Sequence, residues 1–182
     1  HEFYCARKMA SIITRCIAKS TRFQHTRYMH ILCISLSATI QRTLSFDSFS
    51  VDNVNRTQQW REDASGKALN AARVLNQIEP GCSLALCPVG NANADRFMAL
   101  ATQDTDLYVQ PIYVEGLTRE CWTLLDGKNA TTTEIVPDAA QNMYRLAGAE
   151  AELELLEATR SYIVLFDAVL FAGSRPPQWS VN

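Results

Sequence analysis

The stretch Ala64–Leu75 reads ASGKALNAARVL, and its reading decides the fold. Small residues, a lysine and an asparagine stand where the first backbone N–H groups of a starting helix are free. Such a start can hold an anion, and it is also how ordinary helices begin. Downstream of Lys67 the chemistry is less equivocal. Ala68, Ala71, Ala72, Leu75 and Ile78 recur at helical spacing and form one apolar face. Lys67, Asn70, Arg73 and Gln77 fall largely on the other side, so the spacing predicts a helix from Gly66 to Ile78.

Working outward, HILCISL after Met29 is a β-type run, followed by SATIQRTLSF and the polar stretch DSFSVDNVNRTQQW. Past the helix, CSLALCPVG reads as a short buried strand ending in a turn, and Asp95–Thr102 as a helix. A β-rich patch comes next: LYVQPIYVEG, then TRECWTLLD, a turn at Asp126–Asn129, and TTTEIV. An Asp-Gly pair between two strand-like runs signals a hairpin. From about Gln141 to Arg160, Leu146, Ala149, Leu153 and Leu156 make an apolar helical stripe. Glu150, Glu152, Glu154 and Glu157 surround that stripe as a solvated face. The run from Tyr162 to Ala172, broken by Asp167, is predicted to be a buried strand. Strands alternating with helices imply a parallel α/β sheet, and the hairpin region adds a small second sheet.

Composition sets the bounds. A chain of 182 residues suits one domain, and 47% apolar with 20% charged residues is globular. A net charge of −2 gives no general reason to expect a nucleic-acid or anionic-membrane partner, and neither is expected. Residues 1–28 differ from the rest, with six Lys/Arg and one acid against eleven basic and eighteen acidic residues beyond them. This segment is read as a non-core extension. Translated upstream sequence or an expression scar is favoured over an organelle transit peptide, and a cytoplasmic location follows. Six cysteines show no C-x-x-C pair, and His1, His25 and His30 all lie near the N-terminus. Zinc needs clustered ligands, so no metal site is assigned.

In an open α/β sheet, ligands bind beyond the carboxyl ends of the strands. Three loops qualify: Ser35–Thr43, the Gly66 turn, and Gly173–Pro177 with Ser174. Lys67 offers a point charge to phosphate, and the Asn70 amide both donates to and accepts from hydroxyls. Arg119, at the start of a hairpin strand, can fork onto a phosphate. Each alone is explained as well by a helix start, a solvated arginine or a Gly-Ser turn. Their order along the chain changes the balance.

From Met29 on, the sequence resembles the N-terminal part of the PfkB (ribokinase-like) carbohydrate kinases, in particular their phosphofructokinase and tagatose-phosphate kinase branch. The text that carries the resemblance is SLSATIQRT, then Val54-Asn55-Arg56, then ASGKALNAARVL. Thr118-Arg119, Thr133-Glu134-Ile135 and Gly173–Pro177 follow in the family's order. The resemblance covers about residues 29–178. It implies a doubly wound, mainly parallel α/β sheet with a small β-sheet lid, here lacking its C-terminal portion. Lid strands are expected around 43–60 and 106–136 of a domain spanning 29–182.

The resemblance further implies ATP-dependent phosphoryl transfer, with Mg2+, to a sugar or sugar phosphate. It places Gln41, Gly66, Lys67, Asn70, Arg119 and Ser174 on the substrate and suggests a homodimer contact through the lid. Two departures bear on this. Gln41 stands where the family uses an aspartate to hold sugar hydroxyls, and Ser65 and Ala68 replace two glycines of its Gly-Gly-Lys-Gly. A subgroup with A-S-G-K-x-x-N and T-R-x-C-x-T-L-L-D looks closer to this chain. The family's catalytic aspartate, in a G-x-G-D segment, is expected beyond Asn182, so no catalytic residue is assigned and the chain alone is expected to be inactive. A non-catalytic sugar-phosphate-binding or interaction module is the alternative. An unrelated Rossmann-like binder is disfavoured because no G-x-G-x-x-G follows the first strand.

Overall fold

The structure, a computed structural model, describes residues 29–103, 107–137 and 149–172. Its elements follow in the order β1 (Ile31–Ser35), β2 (Thr39–Phe46), β3 (Gln59–Ser65), α1 (Lys67–Ile78) and β4 (Ser83–Gly90). A 3-10 turn at Asn91–Asn93 leads into α2 (Ala94–Thr102). Then come β5 (Tyr108–Val114), β6 (Arg119–Asp126), β7 (Thr131–Ile135), α3 (Ala149–Ile163) and β8 (Ala168–Ala172). The strands make two four-stranded sheets, ordered β5-β4-β1-β8 and β3-β2-β6-β7.

Every pair in the first sheet is parallel. β4 lies inside it and is buried along its whole length, as expected of a strand covered on both faces. Its side chains sort strictly by the two-residue period. Ala85, Cys87 and Val89 join Cys33 of β1 in a core with Ala68, Leu69 and Ala72 of α1 and Phe97 and Ala101 of α2. Leu84 and Leu86 join Leu32 and Ile34 in the other core, against Leu155 and Tyr162 from α3. Helices therefore cover both faces, which is the doubly wound arrangement expected from the sequence. The first core is rich in alanine, which lets α1 approach the sheet closely. Phe97, fully buried at its centre, fills the gap.

The second sheet is mixed: β2 pairs antiparallel with β3 and parallel with β6, and β6 pairs antiparallel with β7. Asp126 forms the β6–β7 turn by accepting from the Asn129 side chain at 2.7 Å and the Lys128 N–H at 3.1 Å. Those bonds, the Asn129 amide foremost and against the opposing effect of burial, hold the Asp126 carboxyl below the usual aspartate range. The hairpin signal Asp-Gly is thereby confirmed.

Several sequence expectations are corrected. The predicted strand Tyr162–Ala172 is divided, because Tyr162 and Ile163 finish α3 and only Ala168–Ala172 pair with β1. The break is fixed by Asp167, whose N–H donates to the His30 carbonyl while its carboxylate accepts from the His30 N–H, both at 2.9 Å. In α3 Leu155 and Tyr162 are buried, and Leu153 and Leu156 are exposed. Ile78 is likewise exposed, and Asn76 is buried in its place, accepting from the Gly81 N–H at 2.6 Å. The expected loop Ser35–Thr43 ends at Ala38, since Thr39 already begins β2. Of the β-rich patch 106–136, β5 joins the parallel sheet, and only β6 and β7 join the second sheet. The expected extension 1–28, Leu146 and Ser174 lie outside the described residues.

Candidate functional site

The two sheets meet where β1 ends and α1 begins. β3 delivers Ser65 opposite Thr39, and the chain then turns at Gly66 into α1. Gly66 adopts φ 151°, in a region that disfavours side chains, and a Cβ there would stand 3.0 Å from the Ser37 carbonyl and 3.3 Å from Ser35 Oγ. Only glycine lets the helix start lie against the 35–38 loop. No side chain caps this helix, so its first N–H groups and the positive end of its dipole face outward. Lys67, the first helical residue, is exposed, and it makes no ion pair among the described residues.

Asn70, one turn in, donates from Nδ2 to Ser65 Oγ at 3.2 Å and accepts at Oδ1 from Arg73 Nη1 at 3.1 Å. Burial draws the Arg73 guanidinium below its ordinary value, and the nearby Asp63 carboxylate opposes the shift. It stays a cation at neutral pH.

The register of the second sheet puts the remaining groups in rows. Ser65, Thr39 and Arg119 are aligned across β3, β2 and β6; Asp63, Gln41 and Cys121 form the next row; Arg61, Thr43 and Thr123 the third. Residues two apart on a strand share a face, so these nine side chains lie on one side of the sheet. Gln41 Nε2 donates to Thr123 Oγ1 at 2.8 Å, which leaves its carbonyl oxygen as an acceptor. Thr39 Oγ1 lies 3.0 Å from the Arg119 carbonyl and 3.2 Å from Cys121 Sγ. Arg61 Nε meets Asp63 Oδ2 at 3.2 Å.

Arg119 is placed by its neighbour. Thr118 is buried at the mouth of β4, where its Oγ1 accepts from the Gly90 N–H at 2.9 Å. Its own N–H donates to Asn93 Oδ1 at 2.8 Å, and its carbonyl accepts from Asn93 Nδ2 at 2.9 Å. The start of β6 is thus fixed against the end of β4, and Arg119 enters the second sheet with a guanidinium that makes no ion pair among the described residues.

The opposite face of the second sheet is closed by charge. Glu62 accepts from Arg42 Nε at 2.5 Å and from the Arg96 guanidinium, and Glu120 accepts from Arg96 Nη1 at 2.8 Å and Arg42 Nη2 at 3.3 Å. Burial raises the Glu62 carboxyl, but the bonds from Arg96 and Arg42 outweigh it and hold the group below the usual glutamate range. This closed ring joins β2, β3 and β6 to α2. One face of the sheet is tied down by this ring, and the other carries the Thr39, Gln41 and Thr43 rows.

Of the residues predicted from sequence, the structure brings Gln41, Gly66, Lys67, Asn70 and Arg119 to one junction. Asp63, Arg73, Thr39 and Thr123 were missed. The alternation of Asp63 with Ser65 ahead of Gly66 was the available signal, but it needed the register with Gln41 to acquire meaning. Among the described residues no group of three or more His, Cys, Asp or Glu could hold a metal ion, and Mg2+ is assigned no residue. Cys33 and Cys87 are buried thiols pushed up by desolvation to about 11 and about 12 respectively, with nearby Cys82 adding to the Cys33 shift. They are core residues, not nucleophiles.

A doubly wound sheet joined to a small second sheet, with an uncapped helix start between them, is an α/β architecture of the kind whose ligand sites lie beyond the strands' carboxyl ends. The pfkB family carbohydrate kinase model matches residues 30–177, and the chain belongs to that family. It is 25% identical over 155 residues to a 1-phosphofructokinase of Rhodobacter capsulatus, covering 81% of this chain and 45% of that protein. It is 27% identical over 150 residues to a tagatose-6-phosphate kinase of Staphylococcus epidermidis, covering 80% and 44% respectively. Among solved structures, a possible 1-phosphofructokinase from Thermotoga maritima superposes with a TM-score of 0.72 at 22% identity, covering 83% of this chain and 47% of the other. Phosphofructokinase-2 from Escherichia coli, in complex with fructose-6-phosphate, gives 0.68 at 16% identity, covering 84% and 48%. The chain therefore spans about half the length of these relatives.

Proposed function

We propose that this chain supplies the sugar-phosphate-binding part of a PfkB-type kinase that phosphorylates a fructose-phosphate-like sugar. The observation that carries the reading is the meeting of the uncapped α1 start, Lys67 and Asn70 with the Gln41–Arg119 face of the second sheet. Lys67, Arg119 and the free N–H groups suit an anion, whereas Gln41 and Asn70 suit hydroxyls. ATP would supply the phosphoryl group, and the residues of this chain would bind and orient the acceptor sugar. The second sheet acts as a lid that keeps water from the transfer. None of the side chains described is given a proton-transfer role.

The outward face of the second sheet suits a second copy of the chain. Leu44 stands between Trp60 and Leu124 in one apolar row, and Trp60 and Ile135 are exposed. A homodimer through this lid is part of the proposal, as is a cytoplasmic location. No helix among the described residues is long and apolar enough to cross a membrane.

The second reading is a module that binds sugar phosphate without turnover. It is favoured by the gathering of Gln41, Lys67, Asn70 and Arg119 at one junction within this one chain. Titration with fructose 1-phosphate, fructose 6-phosphate and tagatose 6-phosphate, with and without ATP and Mg2+, separates the two. ADP release overturns the module, binding without release agrees with the sugar-phosphate-binding role in either reading, and no binding overturns both.

A further inference from the structure

The second row of the sheet's open face carries a carboxylate, that of Asp63. Asp63 stands directly across the β2–β3 ladder from Gln41. Opposed residues of an antiparallel pair hold their Cβ atoms about 4.5–5.5 Å apart, so a single ring could touch both. The Gln41 amide donates one N–H to Thr123 Oγ1 at 2.8 Å and directs the other to the Arg42 carbonyl at 3.5 Å. What it keeps is one neutral oxygen, a weaker hydroxyl acceptor than a carboxylate. Asp63 is 44% exposed at its side chain and meets Arg61 Nε through Oδ2 alone at 3.2 Å, so the carboxylate retains acceptor capacity toward a ligand.

The rows also separate charge. Arg119 and Ser65 are in the row next to Gly66 and Lys67, which favours phosphate. Asp63 lies two residues further along β3, about 6–7 Å away at strand rise. That spacing is comparable to the distance from the phosphate of a sugar phosphate to its ring hydroxyls. A carboxylate repels phosphate and accepts from hydroxyls, so the two rows impose one orientation on such a ligand. Arg61 and Arg73 flank Asp63 with positive charge.

We infer that Asp63 is the hydroxyl-reading carboxylate of this site, a specificity-determining residue set one strand over from Gln41. The assignment rests on the sugar-phosphate reading of the site. It is tested by calorimetric titration of the chain and of Asp63→Asn with fructose 1-phosphate, fructose 6-phosphate and inorganic phosphate. Loss of a charged acceptor should weaken the sugar phosphates about 10- to 100-fold, while inorganic phosphate binds unchanged or more tightly and the thermal unfolding midpoint is held. Unchanged sugar-phosphate affinity in Asp63→Asn overturns this assignment alone, as does an equal weakening of inorganic phosphate. No sugar-phosphate binding by the unaltered chain overturns both it and the reading beneath it.

Discussion

Arg96 Nη1 donates to Glu120 Oε1 at 2.8 Å, tying a helix packed on the parallel sheet to a strand of the other sheet. The same guanidinium reaches Glu62 on β3, so one side chain spans two strands of the second sheet. Arg42 closes the ring from the middle strand. An isolated surface pair contributes little, but here each carboxylate is shared by two forks and is shielded by its neighbours. The ring sets the angle at which the second sheet, and with it Gln41, Asp63 and Arg119, stands over the helix start.

Replacing Arg96 by Ala should therefore loosen the second sheet more than the parallel one. A loss of about 1–2 kcal/mol in unfolding free energy is expected, after allowing for the partial exposure of the pair. Hydrogen exchange should quicken at β3 and β6 amides and leave β4 amides unchanged. Arg96→Lys should recover only part of the loss, because a single ammonium cannot fork between Glu62 and Glu120. Uniform exchange across both sheets in Arg96→Ala would remove the ring as a positioning device.

The ring also predicts a pH dependence. Glu62 has a folded-state pKa below its ordinary value of 4.5, so the folded state binds fewer protons at this group than the unfolded state does. Its contribution is present above that ordinary value and is lost as pH falls through the lower folded one. Unfolding of the chain and of Glu62→Gln by urea should differ most at neutral pH and converge as the solution becomes strongly acidic. A gap that stays constant with pH would show that packing, not charge, carries the effect.

Gly90 fixes where the chain crosses between sheets. A Cβ at this position would fall inside van der Waals contact of Leu117 C and Thr118 N, and 2.7 Å from Gly116 O. All three obstacles are backbone, so none can rotate away. Gly90→Ala should cost at or above the upper end of the usual overpacking range, about 1–3 kcal/mol. It should also break the Gly90–Thr118 bond that seats Arg119. Urea denaturation reads the first effect and sugar-phosphate titration the second; a stable variant with unchanged binding would contradict both.

How much of this was legible in the sequence depends on how local each feature is. The α1 helix was, because the alanine and leucine spacing after Gly66 is a property of twelve consecutive residues. The parallel sheet was, because alternating strand and helix signals leave few other arrangements. The end of α3 was not: Tyr162–Phe166 is apolar enough for either helix or strand. The strand could begin only where Ala168 meets Ile31. The buried side of α3 was misread for a related reason. Leu153, Leu155 and Leu156 satisfy two helical faces, and only contact with the Leu32–Leu86 core selects Leu155. Among the candidate residues, Gln41, Gly66, Lys67, Asn70 and Arg119 are singled out by motif order, and the structure brings them to one junction. Asp63 is not so singled out, since its place beside Gln41 comes from strand register, and the Arg96 ring needs three strands and a helix in position at once.

An apolar edge borders the last strand of the parallel sheet. β8 is an edge strand among the described residues, paired with β1 on one side alone, and its Leu170 and Phe171 are exposed. Leu153, Leu156, Ile163, Val164 and Leu165 of α3 and the following turn are exposed as well. An unpaired strand edge bordered by that much apolar surface is a template for association. The chain should self-associate in a concentration-dependent way, visible by sedimentation velocity at micromolar concentration. Leu156→Glu with Phe171→Ser should weaken that association about 10-fold or more, since each buried apolar side chain contributes about 1.5–3 kcal/mol. The unfolding free energy should barely change, because neither residue is in the core. A monomer at all concentrations would show that this surface does not drive assembly. Association unaffected by the pair of substitutions would instead move the contact to the Trp60–Leu44–Leu124 row of the second sheet.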